Sequence, residues 1–205
     1  MKMERRNFFN NEIRMYKDED SDKEYIEGHA AVFGVESRDL GGFVEIIEQG
    51  AFDDVMEDDV RALFNHDFNF VLARTKSKTL KIKQTKKGLK YRFEVPNTTF
   101  GKDLQELVRR GDIDESSFGF TIKDKGDEWS RDSEGKVIRT IKRGGIGALF
   151  DISPVTIAAY PSTDVATRSY TDFLNAEKES QQEKRKENID YYKNRLTIKQ
   201  RESQL

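Results

Sequence analysis

The sequence predicts a mainly β (α+β) fold: a closed or nearly closed, mostly antiparallel β-barrel of about seven strands with helices packed outside it. Three observations lead there. Apolar and polar residues alternate over many short runs, glycine-containing turns separate most of those runs, and only two or three stretches carry helical spacing. At 205 residues the chain is long enough for one core. It divides by composition into an N-terminal segment 1–22, a barrel domain 23–172 and a charged C-terminal tail 173–205.

In chain order, Ile13–Tyr16 is a weak strand and Asp18-Glu19-Asp20 a turn. Tyr25–Phe33 is a strand, with Gly28 and Gly34 as points of bulge or turn and His29 inside it as a packed or surface side chain. Gly41-Gly42 turns into a short strand, Phe43–Ile47, and Gly50-Ala51-Phe52 opens a helical turn. Asp53, Asp54, Glu57, Asp58 and Asp59 crowd that turn, where a solvated face explains them better than a cation site. Val60–His66 reads as a strand buried in part on both sides, with Val60, Ala62, Phe64 and His66 on one face and Leu63 on the other. His66 ends that strand at a loop, a position suited to chemistry, while Asp67 beside it points the opposite way.

Thr79–Thr85 and Leu89–Val95 form the clearest hairpin, joined by Lys86-Lys87-Gly88. A helix follows over Gly101–Arg110: Leu104, Leu107 and Val108 recur at helical spacing, Arg109 and Arg110 suit the last turn, and Gly111 stops it. From Ser116 the period changes to two. Phe118, Phe120 and Ile122 share one face with Ser116, and Ser117, Gly119 and Thr121 share the other. A polar loop through Trp129 to Gly135, a strand Val137–Arg143, the Gly144-Gly145 turn and an apolar strand Gly147–Ile157 complete the barrel, with Trp129 covering an edge of the core. Over residues 175–205 only Ile189, Tyr192 and Leu196 form a thin helical stripe, so the tail is a protruding helix or disordered.

Composition removes several function classes. With 36 basic and 38 acidic side chains the net charge is −2, which gives no electrostatic footprint for nucleic acid. Without cysteine there is no thiolate metal site, disulfide or cysteine nucleophile, and with two histidines there is no histidine-rich metal centre. No cofactor is implied. The sequence has no apolar run near the length of a membrane span and no signal peptide, so a soluble protein with no membrane partner is expected.

Nucleophilic hydrolysis needs a hydroxyl, a base that titrates near neutrality, and a group that orients the base. His66 is the better placed of the two histidines, Ser117 is a serine beside a glycine on the polar face of its strand, and Asp151 is a carboxylate on the apolar strand segment Ala148–Ile152. A surface serine and a structural ion pair between Asp151 and an arginine are the ordinary alternatives, because a buried carboxylate needs a partner.

Several short motifs in order carry a family resemblance over about residues 10–170. They are Ile26-Glu27-Gly28-His29-Ala30-Ala31-Val32-Phe33, Gly50-Ala51-Phe52, Leu63-Phe64-Asn65-His66-Asp67, Gly101-Lys102-Asp103-Leu104, Arg110-Gly111-Asp112-Ile113, Ser117-Phe118-Gly119-Phe120, and Asp151-Ile152-Ser153-Pro154-Val155-Thr156 leading to Ala159-Tyr160-Pro161. Together they resemble the prohead maturation serine proteases of tailed phages, distant relatives of the herpesvirus assemblins. The resemblance implies a herpesvirus-protease-like barrel with Ser117 as nucleophile, His66 as base and Asp151 as the third member, and packing in place of chemistry for His29. It implies a serine endopeptidase that acts in the bacterial host cytoplasm, inside the assembling procapsid. Its substrates would be scaffolding protein or the scaffold-like segment of the major capsid protein, with self-cleavage and possible self-association. The Arg143-Gly144-Gly145 turn is the candidate source of oxyanion-binding amides. The polar tail from about Asn175 would suit a removable targeting or assembly segment. The competing reading is a non-catalytic assembly or scaffold-binding protein with the same barrel.

Overall fold

A computed structural model describes residues 3–7, 13–18, 23–156 and 164–202. Among them are twelve strands: β1 Glu4–Asn7, β2 Arg14–Lys17, β3 Glu24–Val32, β4 Phe43–Ile47, β5 Arg61–Phe64, β6 Asp67–Arg74, β7 Leu80–Gln84, β8 Gly88–Glu94, β9 Glu115–Ile122, β10 Asp127–Arg131, β11 Val137–Ile141 and β12 Ile146–Val155. Two helices, α1 Thr99–Arg110 and α2 Asp164–Glu202, and a 3-10 turn at Asp53–Val55 accompany them. The chain forms two compact units, Met1–Val165 and Ala166–Leu205.

The closed barrel expected from the sequence is not what forms. The strands make three open sheets, ordered β1-β9-β12-β5-β6, β10-β11-β4 and β2-β3-β8-β7. Alternation specifies which face of a strand is buried, but not which edges pair. At the seams the sheets meet through side chains instead of a hydrogen-bonded ladder. β3 packs beside β9 without pairing to it, and Arg139 of β11 reaches Glu4 of β1 at 2.7 Å. Parallel pairing also enters, between β11 and β4 and between β12 and β5.

One core serves all three sheets, with Ile26 and Ala30 from β3, Ile47 from β4, Tyr91 and Phe93 from β8, Phe118 and Phe120 from β9, Ile141 from β11 and Ile152 from β12. The helix α1 closes over it with Leu104 and Val108. The Thr98 side chain caps its first turn by accepting from the Gly101 N–H, and Gly111 ends it at φ 80°, a left-handed value that glycine adopts freely.

Three strands run where the sequence suggests none. β1 is wholly polar, β10 occupies part of the expected Trp129–Gly135 loop, and β6 leaves Phe68, Phe70 and Val71 exposed while burying Leu72 and Ala73. Trp129 lies in β10 and packs edge-on against Phe43, ring centroids 4.8 Å apart. In the second unit α2 is one continuous helix. Glu19 and Asp20 of the expected turn, Ile157 and the Ala159-Tyr160-Pro161 motif lie outside the described residues, as do the side chains of Tyr192 and Leu196.

Candidate active site

Strand β9 carries the serine, and its alternation separates two adjacent hydroxyls. Ser116 faces the core with Phe118 and Phe120, and its Oγ lies 2.8 Å from the Tyr91 hydroxyl. Burial pushes the Tyr91 phenol well above its ordinary value, so it stays protonated and available for that bond. Ser117 faces the opposite side of the sheet, where neighbouring strands present different groups. Asn7 of β1 lies beside it on one edge, and Ser153 of β12 on the other.

β12 supplies the carboxylate. Its register sets Asp151 opposite Gly119, and a Cβ at position 119 would stand 2.4 Å from Asp151 Oδ1. Only glycine leaves room for the acid there. Asp151 is fully buried, and its Oδ1 has no hydrogen-bond partner among the described residues. Oδ2 accepts the Ser153 hydroxyl at 2.8 Å.

His66 arrives from a turn, not from a strand end as the sequence suggests. β5 stops at Phe64 and β6 starts at Asp67, so Asn65 and His66 form a two-residue hairpin loop, with φ 55° and 59°. Positive φ at both positions is what a type I′ turn demands, and asparagine and histidine are among the residues that tolerate it. The turn is clamped to β12. Asn65 donates its N–H to the Pro154 carbonyl at 3.0 Å, and its Oδ1 accepts the Thr156 N–H at 2.9 Å. Asp67 does not touch the imidazole; its Oδ1 accepts from the Asn69 backbone and side-chain amides, both at 2.8 Å.

These three elements bring His66, Ser117 and Asp151 together. Nδ1 of His66 lies 2.5 Å from Asp151 Oδ2, and Nε2 lies 2.7 Å from Ser117 Oγ. An ionised carboxylate can only accept, so Nδ1 carries the proton and Nε2 is left to accept from the serine hydroxyl. His66 is 9% exposed and Ser117 4%, so the pair sits just below the surface. His29, the other histidine, lies in β3 beside Lys90 of β8 and is not part of this group.

The Arg143-Gly144-Gly145 turn does not offer free amides. Arg143 N–H goes to Glu48 Oε2 at 2.9 Å, Gly144 N–H to the Gly50 carbonyl at 2.9 Å and Gly145 N–H to the Lys142 carbonyl at 2.8 Å. Four of the five acidic residues near the 3-10 turn are likewise engaged. Asp53 pairs with Arg143 at 3.0 Å, Asp54 with Lys123 at 2.5 Å, Asp59 with Arg74, and Asp58 accepts the Leu149 N–H at 2.8 Å. Among the described residues no cluster has the makings of a metal site, and no helix is long and apolar enough to cross a membrane.

Sequence reasoning missed Asn65 and Ser153. Ser153 had a usable signal, because it sits two residues from Asp151 on the same face of one strand. Asn65 had a weaker one, an Asn next to the histidine at the end of an apolar run.

A hydroxyl, an imidazole and a buried carboxylate in one hydrogen-bonded line is the arrangement of a serine hydrolase. The model of the caudovirus prohead serine protease family matches residues 11–178, and the chain belongs to that family. Among solved structures, the bacteriophage T4 capsid assembly protease is similar at 13% identity and a TM-score of 0.41, over 75% of this chain and 96% of that one. No curated protein matches.

Proposed function

We propose that the protein is the endopeptidase of capsid maturation in a tailed phage, with Ser117 as nucleophile, His66 as general base and acid, and Asp151 as the group that orients the imidazole. The observation that carries this reading is the single imidazole lying between the serine oxygen at 2.7 Å and the carboxylate at 2.5 Å. In the first half-reaction Ser117 Oγ attacks the scissile carbonyl as its proton passes to His66 Nε2. The imidazolium, held by Asp151, then returns that proton to the leaving amine. Water, deprotonated by the same nitrogen, hydrolyses the acyl-enzyme and restores the hydroxyl.

The substrate is scaffolding protein or the scaffold-like segment of the major capsid protein, cleaved within the procapsid in the host cytoplasm, and the chain also cuts itself. Residues 173–205 serve as a segment apart from the protease domain that targets or anchors it during assembly. Family membership supports the setting, and the triad geometry supports the chemistry. Co-expression with the capsid and scaffolding proteins tests both. Cleavage products are expected with the intact chain and none with Ser117→Ala; processing that survives the substitution removes Ser117 from the role. Labelling by a fluorophosphonate should map to the peptide containing Ser117.

A further inference from the structure

Both hydrogen bonds that Asp151 accepts converge on one oxygen. Oδ2 takes the His66 Nδ1–H at 2.5 Å and the Ser153 hydroxyl at 2.8 Å, while Oδ1 is buried against Gly119 with no hydrogen-bond partner among the described residues. Asp151 and Ser153 are both fully buried. A buried carboxylate needs charge or several donors around it. Here, among the described residues, a hydroxyl is the one donor that accompanies the imidazole.

We propose that Ser153 is a positioning residue of the triad: its hydroxyl locks the Asp151 carboxylate in the orientation that receives the His66 N–H. The proposal rests on reading His66, Ser117 and Asp151 as catalytic. Ser153 itself is no rival nucleophile. Although β12 pairs it beside Ser117, its hydroxyl is committed to the carboxylate and not to Nε2, and it is fully buried. Its direction follows from the strand, since residues 151 and 153 project from the same face of β12. Without the hydroxyl, Oδ2 keeps the imidazole as its sole partner among the described residues. A carboxylate free to turn about its Cβ–Cγ bond holds the Nδ1–H tautomer and the ring orientation less firmly, and Nε2 is then less well aimed to accept from Ser117. The loss therefore falls on the rate of the chemical step and not on binding.

The test compares the full chain with Ser153→Ala and Ser153→Thr, by the concentration dependence of fluorophosphonate labelling and by the low-field proton resonance of the imidazole N–H. Ser153→Ala is expected to lower the maximal labelling rate about 10- to 100-fold with the half-saturating concentration within about twofold, and to move the low-field resonance. Ser153→Thr, which keeps the hydroxyl, is expected to restore most of the rate. If Ser153→Ala fails to fold, Ser153→Cys, similar in size and a poor donor, is expected to show the same loss. A folded Ser153→Ala or Ser153→Cys protein with the parent rate and resonance overturns the role of Ser153 and leaves the triad standing. A parent chain that is never labelled at Ser117 overturns the triad, and this proposal with it.

Discussion

Strand β9 lies between two buried carboxylate sites, and they differ in what answers the negative charge. On the β1 side Glu4 meets two guanidiniums, Arg6 at 2.5 Å and Arg139 at 2.7 Å. Arg139 also reaches Glu45 at 3.1 Å and Asp127 at 2.7 Å. Arg6 Nε stands 3.0 Å from Glu45 as a charge contact not aligned as a hydrogen bond. On the β12 side Asp151 meets an imidazole and a hydroxyl, and one of its oxygens has no hydrogen-bond partner among the described residues. Arginine stays charged at any working pH, so the first site is fixed and joins β1 to the β10-β11-β4 sheet. Imidazole can both give and accept a proton, and in the proposed mechanism the second site is the one that changes state.

Amide substitution on the Asp151 side should have the largest effect. Asp151→Asn keeps the shape but favours the wrong imidazole tautomer, and labelling or cleavage should fall by about 10⁴-fold with the unfolding transition little changed. The reverse outcome is expected on the other side. Arg139→Met leaves Glu4, Glu45 and Asp127 without that guanidinium and should cost about 3–5 kcal/mol of stability, measured by denaturant unfolding, with activity per folded molecule retained. If Arg139→Met silenced the enzyme without destabilising it, the contrast between a fixed and a working site would collapse.

Gly119→Ala sharpens the comparison from within β9. The added Cβ would lie 2.4 Å from Asp151 Oδ1 and cannot be accommodated without moving the acid. A displacement of this kind should lower the maximal labelling rate about 10²-fold. No similar rate loss is expected from a surface glycine such as Gly135, whose Cβ would meet nothing within 4 Å; its φ of 85° makes the change a strained one, so a stability cost is its expected outcome.

The fixed site should also be felt as acid sensitivity. Burial works against ionising Glu4, but Arg139 and Arg6 outweigh it and hold the carboxyl below its ordinary value of 4.5. A folded value below the unfolded one means that the stabilisation is fully present above 4.5 and is lost as pH falls through the folded value. Thermal unfolding should show a falling midpoint on acidification below about pH 4.5, and Glu4→Gln should flatten that part of the curve.

How far the sequence reveals these two sites follows from the same contrast. The opposite faces of Ser116 and Ser117 are legible, because β9 alternates cleanly between core and polar side chains. The β1 site is not. Glu4-Arg5-Arg6-Asn7 has no apolar alternation, and its burial depends on partners 39 to 135 positions away, for which local pattern carries no signal. The barrel expectation failed for a related reason. Period-two patterning identifies β3, β4, β8, β9 and β12 as strands, yet edge pairing is decided by side chains such as Arg139 that fill a seam. The sequence puts His66 in a strand because the alternation from Val60 runs up to it. The turn is set by Asn65, whose side chain is taken up by Thr156, just past the end of a strand that comes much later in the chain.

Asn65 therefore gives the smallest and most discriminating prediction. Replacing it with glycine removes any difficulty with a φ of 55° while deleting the Oδ1 that accepts the Thr156 N–H. Should backbone conformation alone hold His66 in place, Asn65→Gly would leave both stability and rate unchanged. If the clamp to β12 matters, the cost should be about 1 kcal/mol in stability and severalfold in labelling rate, since the imidazole would then sample positions away from Ser117 and Asp151. The Pro154 carbonyl bond survives the change, because it uses the backbone N–H of residue 65, so the turn should loosen without opening. That difference isolates a side chain which touches neither reacting partner but ties the histidine to the strand bearing its carboxylate.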